Sequence, residues 1–320
     1  MGKVLITARS VAGNPQGVAI LEAAGHQVFA RAGERPWGEE EMLRLIGGMD
    51  AAIIGLDLVS ARVLAAGFPA LRIVARNGAG YSNVDVKAAT ELRIAVTVAP
   101  GANSISVAEL VLGLMLSLAR HIPALNAGVY QGDWGRALGH ELQGKVLGVI
   151  GTGHVGSEVI KRAHAFGMSL VAFDIKPQPE LSGQYGVRYV ELDEVYRLAD
   201  FLTLHAPATR ETNGLINSRT LSLMKKTACL INAARGELID ETALYQALQT
   251  GALAGFAADT LIQEPPPADH PLLSLPNVVL TPHCGGYTQE AVSRASVIAA
   301  EEVVRVLAGQ APLYPISCYS

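Results

Sequence analysis

Short apolar runs of four or five residues recur along this chain, each followed by a stretch whose apolar positions return every three or four residues. The first pattern suits a strand buried on both faces, the second an amphipathic helix. Val4–Thr7, Gln27–Ala30, Ala51–Ile54 and Leu71–Ala75 read as strands, with helices expected from near Pro15, over Glu39–Ile46 and over Ala61–Ala66. Ala99-Pro100-Gly101-Ala102 breaks the rhythm, and Asn103 or Ser104 can cap a helix running to about Arg120. Its wide apolar face, Val107, Leu110, Val111, Leu114, Met115 and Leu118, is expected to be buried between domains or subunits. Gly128–Gln143, with Trp134, shows little periodicity and reads as a loop or dimer arm. Strand patterns resume at Val146–Ile150, Leu170–Phe173, Phe201–Leu204, Cys229–Asn232, Ala254–Ala258 and Val278–Thr281, and an amphipathic helix over Thr288–Leu307 closes the series. Alternation of this kind predicts parallel α/β sheets.

One stretch organises the second half. Val146–Ile150 runs straight into Gly151-Thr152-Gly153-His154-Val155-Gly156, then a helical pattern through Val159, Ile160, Ala163 and Phe166, then a second apolar run ending on Asp174. Gly151 suits the tight turn, Gly153 the close approach of a pyrophosphate and Gly156 helix–strand contact. The phosphates would rest on free N–H groups at the helix N-terminus. Asp174 is placed to accept from both adenosine ribose hydroxyls and would repel a 2′-phosphate, which favours NAD; Lys176 beside it leaves NADP open.

The remaining composition narrows the class. At 320 residues, two domains are expected. Half the residues are apolar, 17% are charged and the net charge is −4, so no electrostatic footprint for nucleic acid or an anionic membrane is present. The N-terminus enters a strand-like KVLITA directly, so no signal peptide is expected. Cys229, Cys284 and Cys318 have neither metal-ligand spacing nor an even framework, so no metal is expected and a reducing cytoplasm is the simplest location.

Three polar residues lie just beyond strands of the second half: Arg235 after Leu230-Ile231-Asn232, Glu264 after the strand ending at Asp259, and His283 after Val278–Thr281. Together they suit reduction of a 2-oxo acid. An arginine can fork onto the substrate carboxylate and carbonyl oxygen. A histidine can protonate that oxygen as hydride reaches carbon, and a carboxylate can keep the imidazolium charged. In the first half, Asn77-Gly78-Ala79-Gly80 follows a strand end, and its glycines let N–H groups face a carboxylate.

These motifs resemble the D-isomer-specific 2-hydroxyacid dehydrogenases, which include phosphoglycerate dehydrogenases and hydroxypyruvate and glyoxylate reductases. The resemblance rests on Gly78-Ala79-Gly80, Asn103 with Val107-Ala108-Glu109, Gly151–Gly156, Asn232-Ala233-Ala234-Arg235-Gly236, Asp259 with Glu264-Pro265, and Thr281-Pro282-His283. It implies two Rossmann-like parallel-sheet domains: a discontinuous substrate domain over 1–99 and 288–320, interrupted by an inserted NAD-binding domain over 100–287. It implies a homodimer, a small 2-oxo or 2-hydroxy acid as substrate, and the roles argued above for Arg235, Glu264 and His283. Ala79, His154, Val155, Asp174, Ala206, Pro207, Ala233, Asp259, Gly285 and Gly286 would surround the cofactor. The chain departs from the family at Ser82, where an aspartate is usual, and at Asp259-Thr260-Leu261. It also carries Gly55-Leu56-Asp57 where phosphoglycerate enzymes commonly hold an arginine, so a phosphate would have to use Arg76 or Arg136. Two rival readings share the motifs. Formate dehydrogenase pairs its histidine with an amide, against which Glu264 argues, and C-terminal binding protein corepressors use NAD in a scaffold.

Overall fold

The computed structural model describes residues 1–316, so Cys318 and the end of the 288–320 stretch lie outside the described residues. The chain divides into two compact units, Met1–Asn103 with the residues from Gly286 onward, and Ser104–Gly285. The first holds a five-stranded parallel sheet ordered β2-β1-β3-β4-β5, from β1 (Lys3–Ile6), β2 (Gln27–Ala30), β3 (Ala51–Ile54), β4 (Ile73–Arg76) and β5 (Ala95–Thr97). Every residue of β3 is buried because helices cover both sheet faces. On one face, Ala299, Ala300 and Val303 of the helix Gln289–Leu307 pack with Val4, Ile6 and Ile53. On the other, Met42, Ile46, Val63 and Leu64 pack with Leu5, Ala52 and Val74.

The second unit carries seven parallel strands ordered β12-β11-β10-β9-β6-β7-β8. They are β6 (Val146–Ile150), β7 (Ser169–Phe173), β8 (Arg188–Tyr189), β9 (Phe201–Leu204), β10 (Cys229–Asn232), β11 (Gly255–Ala258) and β12 (Val278–Leu280). The chain reverses its direction of travel across the sheet at β6, which pairs with both β7 and β9. The register aligns the strand ends in one row: Phe173, Ile150, Leu204, Asn232, Ala258 and Leu280 are successive partners. The next residue on each strand is therefore Asp174, Gly151, His205, Ala233, Asp259 or Thr281. Crevices beyond the carboxyl ends of parallel strands, at such a reversal, are where open α/β sheets take ligands.

Several elements differ from the sequence expectation. The helix Ser104–Arg120 buries Ala108, Val111, Leu112 and Met115 against Leu147, Val149, Ile231 and Ala257 of its own unit's sheet. A helix over Ile122–Tyr130 follows directly on the long helix, across residues the sequence left unassigned, and runs three residues into the stretch read as aperiodic; no residue in it is buried, so no core stripe marks it in the sequence. The short elements Arg9–Ala12, Ala95–Thr97 and Arg188–Tyr189 are too brief to show a period. Among the described residues no single helix is long and apolar enough to cross a membrane.

Candidate active site

The glycine turn is built by close approach. Gly151 has φ +91°, and a Cβ there would lie 2.7 Å from the His205 carbonyl carbon. A Cβ on Gly156 would sit 2.0 Å from the Gly151 oxygen, so only hydrogen fits. Gly153 differs: a Cβ there would meet nothing within 4 Å. It is the N-cap of the helix His154–Ala165 and caps it with no side chain. The open N-terminal backbone suits an anion, and the three glycines fit the dinucleotide expectation. His154 is exposed and Val155 half-buried at the start of that helix.

Asp174 follows β7 directly, beside this turn. Its Oδ2 accepts from the Thr152 N–H at 2.6 Å and the Thr152 hydroxyl at 3.1 Å, and its Oδ1 accepts from the Lys176 N–H at 2.8 Å. Tyr189 donates its hydroxyl to Thr152 Oγ1 at 3.0 Å and accepts the Gln178 N–H at 3.0 Å. The Thr152 carbonyl accepts from Ser157 Oγ at 2.7 Å and from Gln178 Nε2. Thr152, Gln178 and Tyr189 were not identified from sequence. Thr152 is a variable position of the glycine motif, and Tyr189 lies in the two-residue strand β8.

At the far side of the row, buried Asn232 shapes the turn after β10. Its Nδ2 donates to the Arg235 carbonyl at 2.8 Å, and its Oδ1 accepts the Ala234 N–H at 3.0 Å. The Arg235 side chain is exposed and donates to the Ala234 carbonyl at 2.6 Å. Gly236 then runs against the next loop so tightly that a Cβ would lie 2.1 Å from the Leu261 carbonyl carbon. That loop carries Glu264. Glu264 Oε1 accepts the Leu261 N–H at 3.0 Å, and Oε2 lies 2.6 Å from His283 Nδ1. Both side chains reach solvent, 37% exposed for Glu264 and 50% for His283. His283 adopts φ +50°, an uncommon conformation for a side-chain-bearing residue.

Asp259, 3% exposed, turns its carboxylate inward to hold this loop. It accepts from Thr281 Oγ1 at 2.6 Å and from the N–H groups of Cys284 and Gly285 at 2.9 and 2.8 Å. Ala206 and Pro207 follow β9, and Ala233 is half-buried after β10. His205 places Nε2 3.0 Å from Thr203 Oγ1, while its Nδ1 is closed off from solvent and has no partner. Burial pushes this imidazole down to about 3. Among the described residues no cluster of histidine, cysteine or carboxylate groups could hold a metal ion.

Asn77, Gly78, Ala79 and Gly80 lie in the first unit beyond β4. The Asn77 amide donates to Ser10 Oγ at 2.6 Å, and Gly78, at φ +151°, leaves room for the Arg76 guanidinium, whose Nη1 a Cβ would meet at 2.8 Å. Gly286 belongs to the same unit, packed on Asn103. In the loop Gly55-Leu56-Asp57, Asp57 is 3% exposed and accepts from Thr7 Oγ1 at 2.7 Å and the N–H groups of Gly55 and Trp37 at 2.9 and 2.8 Å.

Comparison with known proteins places this geometry in a family. Residues 112–285 match the family described as the D-isomer specific 2-hydroxyacid dehydrogenase NAD binding domain. A D-3-phosphoglycerate dehydrogenase from Methanocaldococcus jannaschii is 44% identical over 275 residues, 85% of this chain and 52% of that protein. A hydroxypyruvate reductase from Thermotoga maritima is 40% identical over 275 residues, 84% of this chain and 88% of that protein. The apo-structure of D-lactate dehydrogenase from Escherichia coli superposes with a TM-score of 0.87 at 26% identity, covering 99% of this chain and 100% of that one. The chain spans about half the length of the curated phosphoglycerate dehydrogenases it matches.

Proposed function

The chain belongs to the D-isomer specific 2-hydroxyacid dehydrogenase family, and we propose that it is an NAD-dependent oxidoreductase interconverting a small D-2-hydroxy acid and its 2-oxo acid. The observation that carries this reading is the 2.6 Å pair of His283 Nδ1 and Glu264 Oε2, one loop away from Arg235. The bound nicotinamide supplies or accepts the hydride. Every other task falls to side chains of this chain.

Glu264 accepts a hydrogen bond from the Nδ1–H of His283, which orients the ring and leaves Nε2 to deliver a proton to the substrate oxygen during reduction. Arg235 engages the substrate carboxylate and carbonyl oxygen through its planar fork. Gly151, Gly153, His154, Val155 and Gly156 hold the pyrophosphate and Asp174 the ribose, with Ala206, Pro207, Ala233, Asp259 and Gly285 completing the second unit's share of the cofactor surroundings.

Hydroxypyruvate or glyoxylate is the preferred class of substrate over its phosphorylated counterpart. The inward-turned Asp57 supports this, since the loop after β3 offers a structural carboxylate and no guanidinium. We further assign a homodimer, supported by the exposed apolar side chains Ile122, Val129, Tyr130, Trp134 and Leu138 around the helix Ile122–Tyr130. The free thiols of Cys229 and Cys284 agree with a cytoplasmic location. NADH oxidation measured against glyoxylate, hydroxypyruvate, pyruvate and phosphohydroxypyruvate tests the proposal. Turnover with a non-phosphorylated acid at least equal to that with phosphohydroxypyruvate is expected. A hundredfold preference for the phosphorylated compound would overturn the substrate assignment and point to Arg76 or Arg136.

A further inference from the structure

We propose that Tyr189 is a positioning residue for the choice between NADH and NADPH: acting through Thr152, its hydroxyl fixes the Asp174 carboxylate in the orientation that meets the adenosine ribose. The proposal rests on the reading of Asp174 as the ribose-binding acid. Thr152 is fully buried, so its hydroxyl has only protein partners to choose from.

The direction of each bond follows from proton counting. A hydroxyl has one hydrogen and can also accept. The Gln178 N–H can only donate, so Tyr189 Oη accepts from it at 3.0 Å and sends its own hydrogen to Thr152 Oγ1, 3.0 Å away. Thr152 Oγ1, accepting there, sends its hydrogen to Asp174 Oδ2 at 3.1 Å. The result is a one-way relay, Gln178 to Tyr189 to Thr152 to Asp174, whose members polarise one another. Two further N–H donors hold the carboxylate, from Thr152 at 2.6 Å and Lys176 at 2.8 Å. A carboxylate has about four acceptor directions. Three are taken, and the one left is open to one of the two ribose hydroxyls the sequence led us to expect there, but offers nothing to a 2′-phosphate, which brings negative charge and no hydrogen to donate. Register puts Tyr189 opposite Ala172, two residues before Asp174, so the relay is anchored on the sheet rather than on the loop it controls.

Without the Tyr189 hydroxyl, the Thr152 hydrogen is free to rotate and the Asp174 side chain loses one of its three restraints. Dissociation constants of NADH and NADPH, measured by direct binding titration, read this without relying on turnover. Tyr189→Phe should lower the NADH-over-NADPH affinity ratio about three- to tenfold, the range for one hydrogen bond, while kcat at saturating NADH stays within twofold. Thr152→Val should lower the ratio likewise and Thr152→Ser, which keeps the hydroxyl, should preserve it. In an Asp174→Ala background, Tyr189→Phe should change the ratio less than twofold, because the relay then ends on nothing. Equal weakening of both cofactors in Tyr189→Phe, or a ratio change that persists in the Asp174→Ala background, would mark Tyr189 as merely structural and overturn the proposal. Should Asp174→Ala itself leave the wild-type ratio intact, the reading of Asp174 fails, and the proposal falls with it.

Discussion

His283 Nδ1 lies 2.6 Å from Glu264 Oε2, although the two residues stand on different loops, after β12 and β11. Asp259 and Gly236 explain the meeting, the first by holding the His283 loop through three hydrogen bonds and the second by letting the Arg235 turn press on Leu261. Glu264→Gln preserves the shape of the pair but leaves an amide that can turn its own N–H toward Nδ1, so the ring is no longer held as an Nδ1 donor. kcat/KM for reduction should fall roughly tenfold or more, about the cost of one charge-assisted hydrogen bond, with NADH affinity unchanged. A variant with wild-type kcat/KM would contradict the pairing.

Arg235 is held by the Asn232 turn but exposed at its tip, as a substrate-binding fork requires. Arg235→Lys keeps the charge and loses the planar pair of donors. It should reduce kcat/KM for the 2-oxo acid roughly ten- to a hundredfold, mostly through KM, the cost of one charge-assisted hydrogen bond. Steady-state kinetics on hydroxypyruvate, with NADH binding as the control, checks this.

Gly153 and Gly156 make a paired test of the phosphate turn. Alanine at 156 collides with the Gly151 carbonyl and should destabilise the protein by about 1–3 kcal/mol while abolishing NADH binding. At 153 there is room, so the fold should lose under about 1 kcal/mol. The added methyl would instead stand where the phosphates approach, and NADH affinity should fall about tenfold, or roughly 1.4 kcal/mol. Thermal denaturation beside NADH titration separates the two effects.

His205 predicts an acid-sensitive contribution to stability. Although the residue as a whole is half-buried, its Nδ1 is shut off from solvent, and burial lowers the folded imidazole to about 3. The unfolded chain protonates near the ordinary value of about 6.5. The unfolded state therefore binds the extra proton in the window between, so this stability is complete above the unfolded value and is lost as pH falls toward the folded one. The slope is at most roughly 1.4 kcal/mol per pH unit, giving about 2 kcal/mol between pH 7 and 5. His205→Gln should flatten that part of the pH dependence in denaturant unfolding without cofactor; an unchanged slope would assign it to other groups.

Much of the second unit was legible because parallel strands buried on both faces leave unbroken apolar runs, and because each run ends where a chemically distinctive residue begins. Asp174, Arg235, Glu264 and His283 could thus be located by their place after a strand. What carries them into position was not legible. Asn232 reads as one more strand residue, Asp57 as an ordinary loop acid, and Thr152 as a filler between glycines, since their partners are distant in sequence or are backbone groups. The helix Ile122–Tyr130 escaped because it buries nothing and so has no stripe to read. Glu302 escaped for a related reason: its 1% exposed carboxylate accepts the N–H groups of Leu313 and Tyr314, a tie no local pattern announces.

The central claim is that His283 is the proton donor of an NADH-dependent 2-oxo acid reductase, and kcat/KM for NADH oxidation with hydroxypyruvate and glyoxylate, wild type against His283→Asn, tests it most directly. The wild-type protein should oxidise NADH with at least one of these acids, and the variant should lose roughly 10²–10⁴-fold in kcat/KM at every pH while binding NADH as before. Wild-type protein that binds NADH yet turns over neither acid, or a His283→Asn variant that keeps wild-type turnover, would contradict the account.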